Sequence, residues 1–153
     1  MQVDPSRGTS RFSLKTLASA ACAGLLTLSP AGAIAQDASG LRVELNKLEP
    51  RDKACRTYLL LDNTSDVDYQ SLKLDLFVLD KAGVISQRLV VETAPLPPKK
   101  TTVKLFDFPA TSCDDFGRVL LNGVTACEAG GTARTDCLAA IETATKSPVP
   151  FTK

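Results

Sequence analysis

From residue 41 to residue 145 the chain alternates short apolar–polar runs with clusters of turn-forming residues. Leu41-Arg42-Val43-Glu44-Leu45 sets an apolar side chain at every second position and gives way to Glu49-Pro50-Arg51-Asp52. Cys55-Arg56-Thr57-Tyr58-Leu59-Leu60-Leu61 follows, closed by Asp62-Asn63-Thr64-Ser65-Asp66. Leu72-Lys73-Leu74-Asp75-Leu76-Phe77-Val78-Leu79 has the cleanest two-residue period and ends at Asp80-Lys81-Ala82-Gly83. Successive side chains of a pleated strand point to opposite faces, so these runs predict strands. A helix would line residues i and i+4 along one face, and Lys73 and Asp75 interrupt any such stripe.

The second half continues the pattern. Val84-Ile85 with Arg88-Leu89-Val90-Val91-Glu92 predicts a fourth strand, ended by Pro95-Leu96-Pro97-Pro98-Lys99-Lys100. Prolines cannot donate to a ladder and mark a long connection or an edge. Thr102 to Phe108 predicts a fifth strand, and Arg118 to Thr125 a sixth leading to Cys127, with Gly123 a candidate bulge. The last element, Cys137 to Thr145, is ambiguous. Asp136 could cap a short helix over Leu138-Ala139-Ala140-Ile141, but Ile141-Glu142-Thr143 and the Gly130-Gly131 turn before it favour a hairpin strand. Ser147 to Lys153 reads as a loose tail. Seven short strands without a βαβ rhythm predict an all-β fold, an antiparallel immunoglobulin-like sandwich. Tryptophan is absent, so the expected core is aliphatic: Val43, Leu45, Leu59, Leu61, Leu74, Leu76, Val78, Val103, Leu105, Val119 and Leu121.

The first thirty-five residues have a different character. Arg7, Arg11 and Lys15 make a positive start, Thr16 to Leu28 carries no charge, and Ala33-Ile34-Ala35 is an A-x-A exit before Gln36. Together these form the pattern of a cleaved signal peptide, with an apolar stretch shorter than the roughly 20 residues a membrane span needs. The expected organisation is a signal peptide over 1–35 cleaved between Ala35 and Gln36, a sandwich over 36–146, and a flexible tail over 147–153. The mature chain would have no membrane span and would work in the periplasm or as a secreted protein. Ser10-Arg11-Phe12-Ser13-Leu14-Lys15 resembles the twin-arginine signal S-R-R-x-F-L-K with one arginine missing. General secretion and twin-arginine export both stay open, the missing arginine favouring the first. A lipid anchor at Cys22 is disfavoured by Ser19, where a branched residue or Leu is required.

Composition then narrows the chemistry. The signal takes three of 18 basic and one of 17 acidic residues, leaving a net charge of −1 on the remaining 118 residues. That balance argues against a nucleic-acid partner, which requires a clustered basic excess. Of five cysteines, Cys22 leaves with the signal and Cys55, Cys113, Cys127 and Cys137 remain. An even number in an exported domain predicts two disulfides. Zinc would need closely spaced pairs, and the chain has no histidine to stand in for a thiolate. In an immunoglobulin-like sandwich the second and fifth strands are antiparallel neighbours. Cys55 opens the second and Cys113 follows the fifth, so those ends meet. Cys127 and Cys137 flank the Gly-Gly turn at one hairpin mouth. The predicted pairs are Cys55–Cys113 and Cys127–Cys137.

At Leu76-Phe77-Val78-Leu79-Asp80-Lys81-Ala82-Gly83-Val84-Ile85 the chain resembles the strand–turn–strand of bacterial FxLYD-type immunoglobulin-like domains, with Leu76 for the family's phenylalanine and Leu79 for its tyrosine. Taken whole, it is similar to uncharacterised exported proteobacterial proteins labelled by a twin-arginine signal domain. Leu41-Arg42-Val43-Glu44-Leu45-Asn46-Lys47 and Gly117-Arg118-Val119-Leu120-Leu121-Asn122 carry that similarity. The resemblance implies an exported sandwich and brings no activity with it.

Without histidine, Ser-His-Asp and Cys-His catalysis are excluded. Asp114-Asp115 are neighbours whose side chains diverge, so a solvated turn is favoured over an acid/base pair. Asp62-Asn63-Thr64-Ser65-Asp66 lacks the order of a calcium loop and is favoured as a turn bonding its own backbone; Asn63 also starts a glycosylation sequon. No catalytic, cofactor or metal site is expected. The favoured function is a non-enzymatic binding or assembly module for an unidentified protein or small molecule. The alternative is a small secreted enzyme using carboxylates or a redox-active cysteine pair, although no C-x-x-C motif is present.

Overall fold

The alternating runs become strands in the computed structural model, which describes residues 40–153. β1 (Leu41–Arg51) and β2 (Ala54–Asn63) form a hairpin, β5 (Lys100–Pro109) takes the other edge of β2, and β8 (Ile141–Thr145) lies along β1. In the second sheet β3 (Tyr69–Leu79) runs between β4 (Ile85–Glu92) and β6 (Arg118–Ala129), while two short strands, β7 (Thr132–Ala133) and β9 (Phe151–Thr152), share the far edge of β6. The fold is the expected all-β sandwich, with nine strands rather than seven. Its pairings are antiparallel except for β1 with β8 and β6 with β9.

The two-residue period sets what faces inward. Leu41, Val43 and Leu45 of β1, Leu59 and Leu61 of β2, Leu72, Leu74, Leu76 and Val78 of β3, and Val119 and Leu121 of β6 are all buried between the sheets. Each such side chain contributes roughly 1.5–3 kcal/mol when fully removed from water. Val103 and Leu105, expected in this core, are instead 52% exposed. β5 offers two apolar phases, Val103/Leu105 and Phe106/Phe108, and the larger aromatic one wins the interior. Phe108 lies opposite Cys55 and stacks edge-on against Phe106 and Phe116 at 5.6 and 5.5 Å.

β6 bends through two bulges. Lys73 faces Ala126 and Leu74 faces Val124, leaving Thr125 unmatched, and the next shift leaves Asn122 unmatched. The bulged residues therefore flank Gly123. Gly130 and Gly131 take positive φ angles of 61° and 76°, as a two-residue hairpin turn requires. Their hairpin partner is β7, not the Cys137–Thr145 segment. Residues 136–141 form a series of turns, with the N–H groups of Ala139, Ala140 and Ile141 bonding to the carbonyls of Asp136, Cys137 and Leu138. Ile141 to Thr145 then crosses to the other sheet and pairs parallel to β1.

The expected loose tail is also corrected. Val149 and Phe151 are buried at 8% and 5% exposure, β9 pairs with Val119 and Leu120, and the Lys153 ammonium donates to the carbonyls of Leu138 and Ile141. Two apolar side chains and a ladder segment hold 147–153 onto the sandwich, so the folded unit extends past residue 146. The signal segment 1–35 and the Ala35/Gln36 cleavage site lie outside the described residues.

Candidate functional site

The structure brings Cys55 to Cys113 and Cys127 to Cys137, with Cα separations of 4.9 and 6.5 Å. Antiparallel pairing of β2 with β5 leaves Cys55 opposite Phe108, and the chain reverses after Pro109 to return Cys113 to the same end. Ser112 caps the reversal, its hydroxyl accepting from the Asp114 N–H at 3.3 Å. Cys55, Cys127 and Cys137 are buried. Two disulfides place the folded domain in an oxidising, extracytoplasmic environment. Among the described residues no helix is long and apolar enough to cross a membrane.

The acidic candidates separate. Asp114 lines a cleft with Asn46 and Lys146, whereas Asp115 lines another with Asp80 and Lys81. A cleft of about 490 Å³ lies between the β1–β2 turn and residues 110–113. Asp52 and Ala110 flank it at φ angles of 23° and 54°. Its Arg51 is engaged by Glu49 at 2.9 Å.

Asn63 bonds the local backbone, as expected of its segment, and reaches well beyond it. It is fully buried at the end of β2. Its amide nitrogen donates to the carbonyls of Val67, Leu96 and Pro97 at 2.7, 3.1 and 3.0 Å. Its carbonyl oxygen accepts from the N–H and hydroxyl of Ser65. With every polar atom of the side chain engaged, Asn63 joins the β2–β3 and β4–β5 connections.

Two buried carboxylates carry no sign of their burial in the sequence, because an acid in an alternating strand reads as solvent-facing. Asp75, 4% exposed, accepts from the Arg88 guanidinium at 2.7 and 3.2 Å and from Asn122 at 3.0 Å. The Arg88 hydrogen bonds hold its carboxyl below the usual aspartate range, against a smaller opposing effect of burial. The bulge at Asn122 aims its amide at this carboxylate. Glu44, also buried, accepts from Arg42 and Asn46. At Glu92 burial pushes the pKa up, but the N–H groups of Leu72 and Ala94 and the Ser71 hydroxyl more than offset it, leaving a lowered value. These acids serve the fold.

One side of the sandwich is built unlike the other. β4 and β5 are the free edges of their sheets and lie on the same side, where Gln87 reaches the Pro109 carbonyl at 2.7 Å and Lys104 reaches that of Ala94 at 2.9 Å. Their ladders are eight and ten residues long. The strongly exposed large aliphatics of the domain, Val84, Ile85, Val90, Val103 and Leu105, all lie on these strands or immediately before them. The opposite side ends in strands of five, two and two residues. This open side, formed by consecutive segments of the chain, is the candidate functional site.

No family model matches the chain, and no curated protein matches it. Among solved structures it is similar to IrmA from Escherichia coli, at a TM-score of 0.54 and 15% identity, over 67% of this chain and 89% of that one. At that identity the likeness is one of fold.

Proposed function

We propose that this protein is an exported, non-enzymatic binding module that works in the periplasm or outside the cell after removal of residues 1–35. The observation that carries this reading is the open side. The two long edges are not shortened or covered, and beside charges that resist pairing with another copy they carry the exposed aliphatics of the domain. Val90 and Val103/Leu105 face outward from different sheets, so each edge presents its own strip of the exposed apolar surface that marks interaction sites. The two disulfides support an oxidising compartment, and the signal pattern supplies the route to it. The separation of Asp114 from Asp115 into different clefts weighs against the carboxylate enzyme. The test is crosslinking in the periplasm of an expressing bacterium, with photoreactive residues at positions 90 and 103. A single stoichiometric partner on those positions is expected. No partner at either position, together with turnover in a hydrolase screen, would reverse the assignment.

A further inference from the structure

The β5 edge has a face-by-face charge pattern. Its register against β2 runs without a bulge from Lys100 to Pro109, so the parity of each side chain is fixed. Val103 and Leu105 are on the outer face, with Tyr58 and Leu60 beside them on β2. Lys100 and Lys104 share the opposite parity with Thr102, Phe106 and Phe108. They are four residues apart, roughly 13 Å along the strand. Both carboxylates in the β4–β5 segment are already engaged, Glu92 by backbone N–H groups and Asp107 by Arg56 at 2.8 Å. Among the described residues Lys100 and Lys104 have no carboxylate partner. An inward-pointing cation on an edge strand resists pairing with another copy, and antiparallel self-pairing centred on Lys104 would set ammonium against ammonium. The unmatched charge of this edge is positive, and it alternates with apolar surface.

We propose that β5 receives an extended segment of another protein as an added strand, in which apolar and acidic residues alternate. This rests on the binding-module reading and names the partner's chemistry. The free N–H and C=O groups of β5 bind the segment's backbone, and side-chain parity supplies the selection. Apolar residues of the segment extend the strip of Val103 and Leu105 on the outer face. Its carboxylates, displaced to the other face by the two-residue period, meet Lys100 and Lys104. A basic strand would repeat the charge already there, and a proline within the segment would remove a ladder donor.

Three synthetic decapeptides decide it: alternating Val-Glu, alternating Val-Lys, and Val-Glu with a central proline. Hydrogen exchange is measured by mass spectrometry on protein purified after expression of the full chain. At a peptide concentration ten times its dissociation constant, Val-Glu should slow exchange within 100–109 by about tenfold. The other two should leave it unchanged. Lys100→Glu/Lys104→Glu should exchange the preference for Val-Lys. Lys100→Glu alone, at an exposed position, should weaken Val-Glu binding if the double variant does not fold. Equal protection by all three peptides, protection confined to other segments, or none with millimolar Val-Glu would overturn the proposal. Protection of 100–109 that rises with protein concentration alone would overturn it in favour of a second copy. The binding-module reading fails separately, if crosslinking at positions 90 and 103 returns no partner and the hydrolase screen shows turnover.

Discussion

Replacing Asn63 with alanine removes a side chain that satisfies three carbonyl groups from two connections. Leu96 keeps a second donor, the Tyr69 N–H at 3.1 Å, so its loss is partial; Val67 and Pro97 lose the amide outright. At roughly 0.5–1.5 kcal/mol per hydrogen bond, the variant should be destabilised by about 3 kcal/mol. For a domain of this size the unfolding entropy is about 0.24 kcal/mol/K, which converts that loss into a Tm about 12 °C lower. Urea denaturation of the oxidised protein is the assay, and with a slope of about 1.5 kcal/mol/M the midpoint should fall by about 2 M. Asn63→Asp sharpens the test. It keeps the size but turns a carboxylate toward three carbonyl oxygens, so its folded-state pKa must rise. The added penalty is therefore full above that raised pKa and relieved as pH falls toward the unfolded aspartate value of about 3.9. A loss for Asn63→Ala below about 0.5 kcal/mol, as at an ordinary surface site, would refute the assigned role. So would an Asn63→Asp variant more stable than Asn63→Ala at neutral pH.

Asp75→Asn should cost about 1–2 kcal/mol at pH 7, discounted because Arg88 is 57% exposed. Because the native Asp75 pKa is lowered by Arg88, its contribution is present above the unfolded value of about 3.9 and lost as pH falls through the lower folded value; the difference between wild type and variant in acid titrations should shrink over that window. Gly117→Ala should destabilise by about 2 kcal/mol or more, since the new Cβ would meet the Asp80 carbonyl and the Lys81 nitrogen. Gly123→Ala, between the two bulges with nothing within 4 Å, should be neutral or slightly stabilising, and thermal unfolding of the pair checks the contrast.

The strands of the sandwich were legible because local alternation reports which residues share a face. So was the order of the cysteines along them, since antiparallel neighbours joined through the β2–β5 pairing leave few places for Cys113 to go. Phase was harder. Val103/Leu105 and Phe106/Phe108 satisfy the same period, and only the packing of Phe108 against Phe106 and Phe116 chooses between them. Parallel pairing left no local mark at all: β8 is joined to β1 by a register linking Leu41 to Ile141, and no turn residues announce such a contact. Asn63 was hidden for a related reason. Its partners Leu96 and Pro97 are more than thirty residues away, so its setting of Asp, Thr and Ser indicates only the local bonds of a turn. Asp75 and Glu44 likewise looked solvent-facing until Arg88, Asn122 and Arg42 covered them.

The segment 141–153 gives one strand to each sheet, β8 to the first and β9 to the second. Both sheets therefore remain unfinished until that stretch has emerged, however early β1 is made. β1 must wait about a hundred residues for its parallel neighbour, a long-range closure of the kind that slows folding. Order of synthesis and order of assembly are in this sense reversed: the first strand laid down is among the last to acquire all its neighbours.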